Sequence, residues 1–228
     1  MHIHILGAGL WAVGAAFAAQ AVAPAACPTR DAAVVEQFIS ADCPDCWAAA
    51  APAAAAGQWR LDWISPTSVE APLSAAALVE SAERAQRAGG PAPVAQQMLT
   101  TRSRLAPPPQ RLSLSVAVGP AWHGYFGVQA DIGGSAPPDS TLWLALVEAI
   151  PAGSDHSQVA RELVRSVAGP LTTSGPAVTG KIRPKTFNHL RAMRWPDIAQ
   201  AERLQARAWL EAADGSLLAF ASPPCPWR

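Results

Sequence analysis

The sequence predicts an α/β N-terminal domain, residues 28–105, followed by a mostly β, small sandwich-like C-terminal domain, residues 111–228. Three observations carry this reading. An apolar run, Val34 to Ile39, passes through a short polar turn into Cys43-Pro44-Asp45-Cys46 and then an alanine-rich segment free of Gly and Pro until Pro52. That order is strand, turn, Cys-x-x-Cys, helix. Several segments after residue 111 alternate apolar and polar residues with period two, the mark of half-buried strands. Between the two parts lies Ala106-Pro107-Pro108-Pro109-Gln110, a semi-rigid linker.

Composition narrows the function classes. Acidic and basic residues number 17 each, so no field favours nucleic acid or an anionic surface. Half the residues are apolar, enough to build a core.

Residues 1–21 read as a secretory signal: Ile5 to Ala19 is uncharged and mostly apolar, and Ala19-Gln20-Ala21 is an Ala-x-Ala cleavage pattern. An uncleaved anchor and a lipoprotein at Cys27 rank below cleavage. The run is short for a bilayer span, which needs about 20 residues. No other segment is apolar enough to span, so no membrane span is expected once the signal is removed. Export puts the chain in an oxidising compartment, periplasmic or secreted, where four cysteines suggest paired sulfurs. Three pairings exist. The close pair is Cys43–Cys46, which leaves Cys27 with Cys225 as a structural disulfide joining the two ends of the mature chain. The prolines flanking both, Pro28, Pro224 and Pro226, suit a stapled terminus.

The elements of the first domain follow in order. After the Val34–Ile39 strand, a helix is expected from Cys43 through Ala56, stopped by Gly57. Gln58 to Ile64 alternates, with Trp59, Leu61 and Trp63 on one side, and reads as a strand. Leu73 to Ala88 reads as a surface helix with a thin apolar face, ended by Gly89-Gly90-Pro91. Val94 to Leu99 reads as a short strand. Strand–helix–strand–helix–strand is compatible with a thioredoxin-like layer.

In the second domain Leu112, Leu114 and Val116 alternate with polar or small residues, and Tyr125 to Asp131 alternates again. Ile132 to Asp139 is a loop. Thr141 to Glu148 is apolar enough to be a central strand. Gln158 to Val167 leans helical by pattern, and Arg161, Glu162 and Arg165 read as surface charges. Pro184 to Trp195 has no clear pattern. Ala206–Ala213 and Ser216–Ala221 flank Asp214-Gly215, a favoured hairpin turn.

The chemistry rests on Cys43 and Cys46. A Cys-x-x-Cys at a helix start aims backbone N–H groups and the positive end of the helix dipole at the first sulfur, which lowers its pKa. Thiolate is the species that attacks disulfides. Cys43 is the expected exposed attacking thiol and Cys46 the resolving one. Pro44 fits an early helical position, and the Asp45 carboxylate opposes the shift.

Val34-Val35-Glu36-Gln37-Phe38-Ile39-Ser40-Ala41-Asp42-Cys43-Pro44-Asp45-Cys46 resembles the opening of a family of secreted bacterial thioredoxin-like proteins of unknown function. Leu142 to Glu148, Val159 to Arg165 with Ala168-Gly169-Pro170, and Trp209 to Ala219 with Cys225 are similar to its β-rich C-terminal half. The resemblance implies a strand for residues 158–167. It implies a proline facing the Cys-x-x-Cys that helps bind an extended substrate, and Pro93 is the candidate by position. Trp47 stands where the family carries a proline and is placed with Pro93 at the substrate-binding surface.

The favoured reading is an exported protein with a thiol–disulfide redox role through Cys43 and Cys46, acting on protein thiols or disulfides without a cofactor. One alternative is a redox-inert binding module. Another is a copper carrier that binds Cu(I) through the two cysteines and one distant histidine. His123, His156 and His189 show no metal-ligand spacing, and no Gly-x-Ser-x-Gly elbow is present. Lys181, Arg183 and Lys185 form a basic run read as a solvated loop.

Overall fold

The computed structural model describes Cys27 and residues 32–49, 58–91, 93–106, 112–134, 136–173 and 186–226. The expected signal, the Pro-rich stretch 107–110 and the Lys181–Lys185 run lie outside them. Strand β1 (Ala33–Ser40) leads into helix α1 (Pro44–Ala48). Strand β2 (Trp59–Ser65), a single 3-10 turn, helix α2 (Glu80–Arg87) and strand β3 (Met98–Arg104) follow. Then come β4 (Ser113–Trp122), β5 (Tyr125–Gly133), β6 (Thr141–Ile150), β7 (Arg161–Thr172), β8 (Thr186–Arg194), β9 (Leu204–Glu211) and β10 (Leu217–Ala221).

The protein is therefore mostly β, which corrects the expectation of an α/β, thioredoxin-like N-terminal domain. The α-helices of the described residues are five and eight residues long, too short to cover a face of the sheet. Strands form two sheets, one in the order β10-β9-β6-β7-β2-β1-β3 and one in the order β4-β5-β8. β1 runs parallel to β2 and antiparallel to β3. β7 pairs in parallel with β2 at Leu163 and Asp62. Strands from both sides of the Pro-rich stretch thus share one seven-stranded sheet.

Several elements differ from their sequence pattern for physical reasons. α1 ends at Ala48 because Ala49 turns to an extended backbone conformation. Residues 50–57, where the expected helix continued, lie outside the described part. β3 begins at Met98 rather than Val94, because Gln96 takes a positive φ of 54° that breaks the strand before it. From Arg161 onward the 158–167 segment is strand: its registered pairing with β6 overrides the helical spacing of its apolar residues. The unpatterned 184–195 stretch supplies β8, which pairs with β5 from Gly133 to Tyr125. The β9–β10 hairpin turns where expected, with Gly215 at φ 83°.

Period-two alternation sorts the core into three clusters. Along β6, Leu142, Leu144 and Leu146 face the β4-β5-β8 sheet and join Leu114, Val128, Ile132, Ala206 and Leu210 in an aliphatic sandwich interior. Trp143, Ala145 and Val147 of the same strand point the other way, into a tryptophan-rich layer with Phe38, Trp63, Trp209 and Phe220. Ala85 of α2 closes that layer. A smaller cluster of Ile39, Ile64, Ile150, Leu163 and Trp47 lies beneath α1. Gly169 is needed where it stands, since a Cβ there would come 2.4 Å from the Trp143 ring.

The tryptophan layer also buries charge. Glu36 of β1 and Glu211 of β9 are both 0 % exposed. Arg84 of α2 bridges them, with Nε 2.8 Å from Glu36 Oε1 and Nη1 bonded to Glu211. Trp63 Nε1 donates to Glu36 and Trp209 Nε1 to Glu211. Arg87 Nη1 stands 3.6 Å from the second Glu211 oxygen. Burial pushes the Arg84 guanidinium down, but Glu36 and Glu211 outweigh it and hold its pKa above the ordinary value. Arg84→Ala strands two buried carboxylates, and a loss of about 3–5 kcal/mol is expected, read as a lower urea midpoint.

Cys27 and Cys225 are bonded, with Cα atoms 5.3 Å apart and 198 residues of sequence separation. In the chain-entropy model a loop of that size stabilises by at most about 5 kcal/mol. The double variant Cys27→Ser/Cys225→Ser is expected to lose about 2–5 kcal/mol in equilibrium denaturation, with the Cys43–Cys46 bond unchanged in thiol counts.

Candidate functional site

The site is built at the end of β1. Ala41 N donates to Ser65 O and Leu73 N to Ala41 O, so the turn after β1 is held by β2 and the segment following it. Cys43 occupies the N-cap of α1, with Pro44 in the first helical turn. Cys43 and Cys46 are bonded to each other, with Cα atoms 5.2 Å apart. Cys46 N–H also donates to Cys43 Sγ at 3.3 Å. The first sulfur therefore takes the place of a capping oxygen and receives a backbone donor that would stabilise it as a thiolate.

Exposure is distributed differently from the expectation. Cys43 is 8 % exposed, and Cys46 is the more accessible of the pair. Trp47 is buried, not a surface platform. Its ring packs with Ile39, Ile64 and Leu163, and its Nε1 donates to Asp155 O at 2.7 Å. Pro93 is half-buried in the loop before β3, and the Ala92 side of its peptide bond lies outside the described residues. That loop is fastened to the site three residues further on. Gln96 N donates to Asp42 Oδ1 at 2.9 Å, and Gln97 N to Ser40 Oγ at 3.0 Å.

Arg161 is the main residue that sequence reasoning misplaced. It is 1 % exposed, not a surface charge, and sits at the C-terminal end of α1. Its Nη2 donates to the carbonyls of Cys46 at 3.3 Å, Trp47 at 2.7 Å and Ala49 at 3.1 Å. Its Nη1 donates to Gln37 Oε1 at 2.9 Å, and its Nε to Ser157 Oγ at 3.0 Å. The guanidinium also lies over the Trp47 ring, 5.1 Å from the centroid. Arg165 is likewise largely buried, paired with Glu148, and Glu162 pairs with Arg207.

Behind Arg161 stands Asp62 on β2, at 0 % exposure. Asp62 accepts from Arg60 Nε at 3.0 Å, from Arg161 Nη1 at 3.4 Å and from the backbone N–H of Glu162 at 2.8 Å. Burial pushes the Arg161 guanidinium below its ordinary pKa, Asp62 opposes the shift and Arg60 adds to it. One carboxylate is thus shared by two guanidiniums. The sequence signal for this network was present in Gln37 and Asp62, polar residues inside otherwise apolar strands. Beside it opens a cleft of about 410 Å³, walled by Arg60, Ile150, Val159 and Arg161.

The histidines do not converge on the site. His123 and His156 occupy turns at positive φ, and His189 on β8 is buried with Nε2 2.8 Å from Thr172 O. Among the described residues no three His, Cys, Asp or Glu side chains gather as a metal site. No helix among them is long and apolar enough to cross a membrane.

No family model, no curated protein and no solved structure matches the chain.

Asp42 gives the site a pH dependence. The Gln96 backbone N–H and the Ser40 side chain hold its carboxyl below the ordinary value of 3.8. Because the folded value lies below the unfolded one, the stabilisation is complete above the unfolded pKa and is lost as pH falls through the folded pKa. The Gln96 amide shift in NMR is expected to titrate with a midpoint below 3.8. Asp42→Asn keeps an acceptor and should abolish the titration.

Proposed function

We propose that this is an exported thiol–disulfide protein whose working pair is Cys43 and Cys46. The observation that carries the reading is the bonded pair across the first turn of α1, with Cys46 N–H directed at Cys43 Sγ. The Cys27–Cys225 bond supports an oxidising compartment, and the likeness of residues 34–46 to a secreted bacterial family supports export. The substrates are protein thiols or disulfides.

The exchange balances as follows. In the reduced protein the Cys43 thiolate attacks one sulfur of a partner disulfide. The partner S–S bond breaks, and its second sulfur leaves as a thiolate and takes a proton. Cys46, deprotonated, then attacks Cys43 Sγ and releases the first partner sulfur as a thiol. Two electrons pass from the pair to the partner, and a partner dithiol drives the same steps in reverse.

Equilibration in glutathione or dithiothreitol buffers, with thiol counting by mass spectrometry, tests the proposal. A potential between about −270 and −120 mV is expected, together with a Cys46→Ser variant that traps a mixed disulfide at Cys43. A potential below about −300 mV assigns the bond a structural role and leaves a redox-inert binding module. Thiol-dependent Cu(I) binding by the reduced protein, without exchange, would instead support a carrier.

A further inference from the structure

We infer that Arg161 is the positioning residue of the Cys43–Cys46 pair, holding α1 in place when the disulfide opens and biasing the pair toward the dithiol. This rests on the redox reading of that pair. Two independent observations carry it.

The first is the geometry of α1. A helix of five residues is shorter than helices that persist unaided, and its terminal carbonyls lack intrahelical partners. Arg161 Nη2 reaches three of those carbonyls, from Cys46, Trp47 and Ala49. The other two nitrogens are fixed from behind by Gln37, Asp62 and Ser157. In the oxidised protein the disulfide also restrains this turn. In the reduced protein that restraint is gone, and the guanidinium fork remains. Loss of the fork therefore harms the reduced form more than the oxidised form.

The second is the charge balance. Among the described residues Asp62 is the carboxylate bonded to both Arg60 and Arg161, so the cluster carries one more positive than negative charge. Glu162, beside it, is engaged by Arg207. The disulfide is neutral and supplies no counter-charge, whereas a thiolate does. The carboxylates that oppose this are Asp42 and Asp45 on the N-terminal side of α1, and Asp155, which is paired with Arg203. Arg161 approaches from the opposite end, through the Cys46 carbonyl. Both effects have one sign: removing the guanidinium disfavours the dithiol.

The test compares wild type with Arg161→Gln and Arg161→Lys. Reduction potentials are measured in thiol buffers, thiolate formation by ultraviolet absorbance against pH, and unfolding in both redox states. Arg161→Gln is expected to shift the equilibrium about tenfold toward the disulfide, about 30 mV more negative, and to move thiolate formation to higher pH. Arg161→Lys keeps the charge and loses the fork. It should leave thiolate formation near wild type while destabilising the reduced protein more than the oxidised one.

Equal destabilisation of both redox states with an unchanged potential makes Arg161 a structural strut and overturns the inference. If Arg161→Gln does not fold, Arg161→Lys decides alone. A tenfold or larger change in its thiolate titration, or equal loss in both states, overturns the inference. A wild-type potential below about −300 mV instead removes the redox reading itself, whatever the variants do.

Discussion

A buried strand that carries two adjacent polar residues must find partners on both sides of its sheet, because successive side chains point to opposite faces. β1 carries Glu36 and Gln37 in this way, at 0 % and 2 % exposure. Glu36 is met by Arg84 from α2, and Gln37 by Arg161 from β7 and Arg60 from β2. Neither face can be closed by apolar packing alone. Each requires a guanidinium delivered by a distant part of the chain, in the right register. The parallel seam between β2 and β7 and the seating of α2 over the tryptophan layer both answer to that requirement.

The two faces satisfy it differently. On the tryptophan side, Arg84 and Arg87 oppose Glu36 and Glu211, and Arg87 also pairs with the exposed Glu83, so carboxylates outnumber guanidiniums. On the side of α1, Asp62 is opposed by Arg60 and Arg161, and guanidiniums outnumber the carboxylate. A cluster with surplus positive charge makes a nearby acidic group easier to ionise. Arg161 of that cluster reaches the Cys46 carbonyl, which ties the proposed redox pair to the second face.

Much of the architecture was legible in short-range pattern. The all-buried β1, the alternation in β4 and β5, the apolar β6 and the Asp214-Gly215 turn each follow from local chemistry. The close pair Cys43–Cys46 and the pairing left to Cys27 and Cys225 were legible from spacing. Several features decided across the fold were missed. Leu163 and Val164 both suit a helix stripe, but in β7 they enter different cores, and only the pairing with β6 shows this. Arg161 looks like an ordinary surface charge until the carbonyls of α1 are placed around it. Alanine propensity favoured a long helix after Cys46, and backbone geometry at Ala49 ended it. Trp47 gave no local sign that its indole would be claimed by Asp155 and the interior.

The bond between Cys27 and Cys225 also gives the molecule a mechanical character. A pull applied between chain preceding Cys27 and chain following Cys225 is carried by that covalent link. The β9–β10 hairpin and the strands behind it are bypassed, so tension that would peel an edge strand from an open-ended fold does no work on the sheets. With the bond reduced, the same tension falls first on β10, the edge strand nearest Cys225. The folded body can then be unzipped from its border inward.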